Sequence, residues 1–181
     1  DLLITEKIRR VLIGMKDPFE KVNGRGIRKL ENAGIKVVSG ILEKECKELN
    51  KFFIKSVTSQ LPYISLKIAQ SIDGKIALNN FSSKWITGDS SRKYVHKLRS
   101  EYDAVIVGSN TAKYDDPSLD VRDVKGRNPY RIVIDRDLKL SGKLKLFSDC
   151  NRNRTIVLTG ETNRSNVISN SVKTIFIKEK S

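Results

Sequence analysis

Most of the side chains able to do chemistry crowd into one stretch, Pro62 to Arg99, which holds the only tryptophan, Trp85, and the only histidine, His96. A lone Trp is usually core, but Trp85 sits in a polar loop between Lys84 and Thr87. That setting favours a half-exposed aromatic wall for a ring-bearing ligand. Thr87, Asp89 and Ser90 are candidate N-caps for the helix that follows, because a short oxygen side chain satisfies a free backbone N–H there. Helix starts also attract anions, so this turn is able to hold a phosphate; an ordinary capped helix is the plainer reading. Arg99 falls at the far end of that helix, where a cation suits the dipole. Ser109-Asn110-Thr111 directly follow an apolar run, at a strand's carboxyl end, where α/β sheets bind ligands. Asp115 and Asp116 precede Pro117. Paired aspartates there are common in turns, and two carboxylates alone do not make a metal site. No nucleophile–base pair stands out.

These residues need elements to position them. Tyr63 to Ala69 alternates, with Ile64, Leu66 and Ile68 on one side, the period of a strand with one buried face. Asp73-Gly74 is a turn dipeptide, and Ile76 to Phe81 leads into the polar loop. Tyr94, Val95 and Leu98 form the stripe of the next helix. Ala104 to Gly108 is apolar throughout, the mark of a parallel strand buried on both faces. Arg131–Asp135, Thr155–Thr159 and Val172–Ile177 read as further strands, making about five.

Upstream, Arg10 to Met15 reads as a strand, Ile27 to Ala33 as a helix opened by Asn23-Gly24-Arg25-Gly26 and closed by Gly34, Ile35 to Val38 as a strand, and Leu42 to Val57 as one helix. This β-α-β-α order predicts parallel strands. Lys55 to Leu61 is polar and precedes Pro62, so it is the expected linker. The expected domains are residues 1–60 and 61–181.

Composition narrows the class. The 181 residues are 38% hydrophobic, lean but sufficient for a core. No apolar run reaches membrane-spanning length and no signal-peptide pattern is present. Cys46 and Cys150 are far apart in sequence, which points to reduced thiols and a cytoplasmic protein. The net charge of +14 favours polyanions or phosphorylated small molecules. Yet the lysines are scattered without aromatic interleaving, which disfavours nucleic acid as the main partner. The chain begins at Asp1, already within a helix-like pattern, as expected of a piece of a longer protein.

Several ordered motifs, PYISLKIAQSIDGKIA, SSKWITG, LRSEYDAVIVGSNTAKYDDPSLDVR and NPYRIVID, resemble the reductase half of the bifunctional riboflavin-biosynthesis deaminase/reductase family. The match runs from about Leu61 to Thr159. Residues 1–60 resemble the end of the deaminase domain of the same family, through DP, NGRGI and the spacing of AGI, GIL and LN. The resemblance implies an α/β chain: a dihydrofolate-reductase-like domain, its mostly parallel sheet flanked by helices, preceded by the βαβα tail of a cytidine-deaminase-like domain. It implies reduction of 5-amino-6-(5-phosphoribosylamino)uracil to the ribityl form with NADPH.

Residue by residue, Ala69, Trp85, Thr111, Asp115 and Thr159 match positions at which the family touches NADP, and Ser83, Arg99, Leu119 and Arg122 match substrate positions. The arginines make physical sense there, since a phosphorylated sugar is gripped by fixed forks of N–H donors. Lys67, two residues before Ala69 on the same expected strand face, is the candidate for polar assistance near the reacting carbon; a surface lysine is the competing reading.

A zinc deaminase needs His-x-Glu and a Pro-Cys-x-x-Cys pair, and neither is present. No metal and no deaminase activity are expected of this chain, and zinc is expected only in the missing deaminase part of a full-length parent. The family's reductase half continues further and supplies a Gly-rich phosphate cradle and a substrate Glu, so reduced stability and poor turnover are expected of this chain alone. A homo-oligomer is expected. Two alternatives stand beside this reading: a dihydrofolate-reductase-like NADPH reductase of another pyrimidine or pterin, and a basic nucleic-acid-binding module.

Overall fold

The computed structural model describes residues 1–163 and 172–178, so the Ser- and Asn-rich stretch between the last two strands lies outside the described residues. The chain divides into two units, Asp1–Lys67 and Ile68–Ser181.

In the first unit the order is α1 (Leu2–Thr5), β1 (Arg10–Ile13), α2 (Arg25–Asn32), β2 (Lys36–Ser39), α3 (Glu43–Leu49) and α4 (Lys51–Ser59). β1 and β2 pair in parallel, Val11 opposite Val37 and Leu12 opposite Val38. Ile27 and Leu30, three apart on α2, are half-buried and Ile35 is buried. Gly34, at φ 77°, ends α2 in a Schellman motif: its N–H donates to Glu31 O at 2.9 Å while Ile35 N–H donates to Leu30 O at 3.1 Å.

The helix read over Leu42–Val57 is two helices. Asn50 is the junction: its side chain and its backbone N–H both donate to the Cys46 carbonyl, at 2.8 and 3.1 Å, and the next helix starts at Lys51. The linker is also shorter than Lys55–Leu61, because α4 continues through Ser59. Thr58 and Ser59 hydroxyls donate to carbonyls four residues back, Ile54 O and Lys55 O, each at 2.7 Å.

The second unit contains α5 (Asp89–Glu101), β3 (Ala104–Gly108), α6 (Ser109–Asp115), β4 (Tyr130–Ile134), α7 (Lys145–Ser148), β5 (Thr155–Gly160) and β6 (Lys173–Ile177). The four strands form one parallel sheet in the order β3-β4-β5-β6. The register aligns Ile106 with Ile132 and Ile132 with Ile156. One face packs Val133 and Val157 against Ala112, Leu119, Leu146, Phe147 and Val172.

The sheet is buried on one face only, which corrects the reading of β3. Val105 and Val107 pack on the core, whereas Ile106 is 60% exposed, because no layer covers the opposite face within the described residues of this unit. The fifth strand is not formed either: residues 62–70 carry no regular structure, and Ile64, Leu66 and Ile68 are exposed. Alternation supplies the right side chains for a strand, but a strand exists only where another backbone takes up its N–H and C=O groups. Among the described residues no strand pairs with this segment.

A buried arginine knits the sheet to its surroundings. Arg131, on β4, is 1% exposed. Its guanidinium grips both carboxylate oxygens of Asp149, at 2.6 and 2.8 Å. It also donates to Thr155 Oγ1 at 3.0 Å, Ser118 O at 3.0 Å and Leu146 O at 2.9 Å. The segment after α6, helix α7 and strands β4 and β5 therefore share one fully used cation.

Candidate functional site

Helix α5 carries functional side chains at both ends. It starts after Gly88 with no side-chain cap bond, so Thr87, Asp89 and Ser90 do not cap it in the expected way. Arg92, in the first turns, instead donates to Thr87 O at 2.9 Å and pairs with Asp89. Its guanidinium carbon lies 4.3 Å from the centroid of the Trp85 ring, a cation–π contact. Trp85 itself is 69% exposed, so its ring is open to solvent.

Beside it, Ser83 Oγ donates to Asp115 Oδ1 at 2.8 Å, and Lys84 Nζ lies 3.4 Å from Asp115 O. Phe81 and Tyr114 stack at 4.4 Å between centroids. Thr111 is exposed one turn before Asp115 on α6 and so lies on the same side of that helix. The structure thus links Ser83 to Asp115, and with it the loop before α5, which carries Trp85, to the helix after β3, which carries Thr111.

About 10 Å further along α5, at 1.5 Å per residue, a second cluster forms. Arg99 Nη1 donates to Asp120 O at 3.2 Å, and the carboxylate of the same Asp120 accepts from Arg122. His96, one turn before Arg99, places Nδ1 3.0 Å from Asp120 O and Nε2 3.2 Å from Asp123 Oδ2. The segment carrying these groups is held in place from several sides. Leu119 is buried in the core, Val121 N–H donates to Asn128 Oδ1 at 2.7 Å, and a Cβ on Gly126 would stand 2.4 Å from Ser100 Cβ on α5. Burial, with Arg122 next to it, lowers the proton affinity of Arg99. Burial and the Arg99 charge together lower that of His96. Asp120 and Asp123 balance the two arginine charges here, and what Arg99 and Arg122 offer a phosphate monoester is their further N–H donors.

Three of the four expected substrate residues, Arg99, Leu119 and Arg122, meet in this cluster. The fourth, Ser83, lies with Trp85 and Asp115. Thr159 is at the carboxyl end of β5 with its hydroxyl turned inward, donating to Arg136 O at 3.0 Å. Ala69 is half-buried in irregular chain. Lys67 is exposed and belongs to the first unit, and the strand face it was expected to share with Ala69 is not formed. His96, Asp120 and Asp123 were not singled out from sequence as parts of a site. The one available signal was that His96 and Arg99 are three apart and so share a helix face. Among the described residues no cluster of His, Cys, Asp and Glu could hold a metal ion, Cys46 and Cys150 are free, and no helix is long and apolar enough to cross a membrane.

The family model for the RibD C-terminal domain matches residues 62–178. A riboflavin biosynthesis protein RibD from Aquifex aeolicus is 44% identical over 164 residues, covering 90% of this chain and 46% of the relative. One from Synechocystis is 39% identical over 173 residues, covering 96% and 47%. A crystal structure of a diaminohydroxyphosphoribosylaminopyrimidine deaminase/5-amino-6-(5-phosphoribosylamino)uracil reductase from Thermotoga maritima superposes with a TM-score of 0.86 at 42% identity, covering 96% of this chain and 48% of that one. A RibD structure from Acinetobacter baumannii gives a TM-score of 0.85 at 32% identity, covering 98% of this chain and 51% of that one. The chain spans about half the length of the curated relatives it matches.

Proposed function

The chain belongs to the RibD C-terminal domain family, and from that premise we propose that it carries the reductase step of riboflavin biosynthesis: reduction of 5-amino-6-(5-phosphoribosylamino)uracil to 5-amino-6-(5-phosphoribitylamino)uracil. The observation that supports this most is the pair of guanidinium groups, Arg99 and Arg122, brought from different elements onto one residue, Asp120. Two arginine forks, each bonded to Asp120, fit the phosphate of a phosphorylated sugar. A nucleic-acid module would draw on dispersed cations along a face instead.

Family membership implies a nicotinamide cofactor, and we assign NADPH. When bound, that cofactor supplies a hydride to C1 of the sugar, and a proton completes the ribityl product. The residues present suit such a ligand. The open Trp85 ring offers a flat apolar surface backed by Arg92, and Ser83, Thr111 and Asp115 offer hydroxyl and carboxylate groups beside it. Thr159 and Ala69 join that group on the sequence match. Lys67 is proposed for polar assistance on its place in the sequence, two residues before Ala69. In this reading α5 is the ruler of the site: its first turns address the cofactor and its last turns the phosphate, so that two ligands are held in one orientation.

We take residues 1–60 as the tail of a deaminase-type domain and give it no zinc chemistry. The protein is proposed to work in the cytoplasm as a homo-oligomer. Following NADPH absorbance with the phosphoribosylaminopyrimidine tests the reading. Oxidation that depends on the phosphorylated substrate and yields a product heavier by two hydrogens supports it. A reductase of another pyrimidine or pterin would instead turn over an unphosphorylated substrate as readily, and substitution of Arg99 or Arg122 would leave its KM unmoved.

A further inference from the structure

We propose that His96 is a positioning residue for the phosphate end of the site: it fastens the segment Leu119–Asp123 to α5 so that Arg99 and Arg122 face one anion. The identity of the anion as a phosphorylated sugar rests on the function proposed above; the fastening itself rests on geometry.

His96 is 4% exposed, yet its ring nitrogens face polar groups. Nδ1 lies 3.0 Å from Asp120 O and 3.5 Å from the Arg122 N–H, and Nε2 lies 3.2 Å from Asp123 Oδ2. Burying an imidazole costs free energy unless its polar atoms are matched, and an apolar side chain would fill the same space on α5 without that cost. What the imidazole adds is a tie to one short segment: Nε2 reaches the Asp123 carboxylate, and Nδ1 donates to the Asp120 carbonyl when it carries a proton or accepts from the Arg122 N–H when it does not.

Asp120 is the hub. Its carbonyl has two lone pairs, and His96 and Arg99 approach it from successive turns of α5, while its carboxylate takes Arg122. Untying His96 therefore frees the backbone that sets where both guanidinium groups sit.

The tie also depends on protonation. The charged groups facing His96 are Arg99 from its own helix and Asp120, Arg122 and Asp123 from the docked segment. A neutral imidazole has one proton, so it donates to Asp123 or to Asp120 O, not to both; an imidazolium donates to both. Burial first, and then Arg99, disfavour the imidazolium; an anion bound between Arg99 and Arg122 offsets the second of these, so binding favours the charged ring and with it the two donated bonds.

The test uses the intact protein, with ribose 5-phosphate as the probe by calorimetry and steady-state kinetics alongside. His96→Gln is expected to weaken ribose 5-phosphate binding and raise KM for the phosphorylated substrate about tenfold, the scale of one charge-assisted hydrogen bond. KM for NADPH should stay within about twofold on the same scale. His96→Asn, which keeps a donor near Nδ1, should recover part of the loss. Both proteins should show the inflection of the phosphate's own second ionisation, at about pH 6; wild-type affinity should show a further one below pH 6.5, the ordinary histidine value, that is missing in His96→Gln. If His96→Gln does not fold, Asp123→Asn takes its place and should shift the same inflection.

Unchanged ribose 5-phosphate affinity in a folded variant overturns the proposal, as do equal losses toward ribose 5-phosphate and NADPH, or no ribose 5-phosphate binding by the wild type. Wild-type binding that His96→Gln weakens, without reductase turnover, would sink the reductase reading and leave the positioning role standing.

Discussion

Arg131 shows how a charged residue can be structural while a chemically identical one is functional. Arg131 has every donor taken by protein groups, chiefly Asp149 and Thr155, whereas Arg99 and Arg122 share one aspartate between them. From sequence, Arg131 reads only as a strand residue, because the asymmetry between a saturated and an underpaired guanidinium exists only in three dimensions. Asp120 and Asp123 were equally illegible: each is an ordinary loop aspartate until His96 is seen to face both. Removing one partner of a buried ion pair leaves an uncompensated charge. Asp149→Ala is therefore expected to destabilise the protein by about 3–5 kcal/mol, read from urea denaturation.

His96 gives a pH prediction of definite sign. Its proton affinity is lowered in the fold, first by burial and then by Arg99, so the unfolded chain takes up this proton more readily. The associated stability is fully present above pH 6.5 and is lost as pH falls below it. Melting temperature should drop on acidification from about pH 7.5 to about pH 5.5, and drop less in His96→Gln.

At the scale of elements, periodicity carried the reading well where strands pair. β3, β4, β5 and β6 lie where apolar runs predicted them, within a residue or so at the ends, because each has a laddered neighbour. It failed for Tyr63–Ala69, where the same alternation enters no strand pairing among the described residues, and for α3–α4, where Asn50 divides one apolar stripe between two helices.

Burial depth was also illegible for β3, since an all-apolar strand does not reveal how many faces are covered. The two faces give contrasting expectations. Leu146, 0% exposed, should cost about 2–5 kcal/mol on change to alanine. Ile106→Ser on the open face should cost within about 0.5 kcal/mol, as for an exposed site. Comparable losses at both positions in urea melts would mean that the outer face of the sheet is covered in solution.

At the scale of the whole molecule, the fold family was legible because several short motifs occur in one order over most of the chain, which charge or composition alone does not provide. The net charge of +14 taken by itself pointed to any polyanion. What narrows it is that two of the cations converge at the end of α5 while an open indole stands at the start of the same helix. That arrangement makes the central claim, a nicotinamide-dependent reductase with Trp85 at the cofactor end, directly measurable, because Trp85 is the only tryptophan. Titrating the folded protein with NADPH while following tryptophan emission, with NADH as the control, should give saturable quenching that favours NADPH. A flat titration, or equal quenching by both nucleotides at all concentrations, would contradict it.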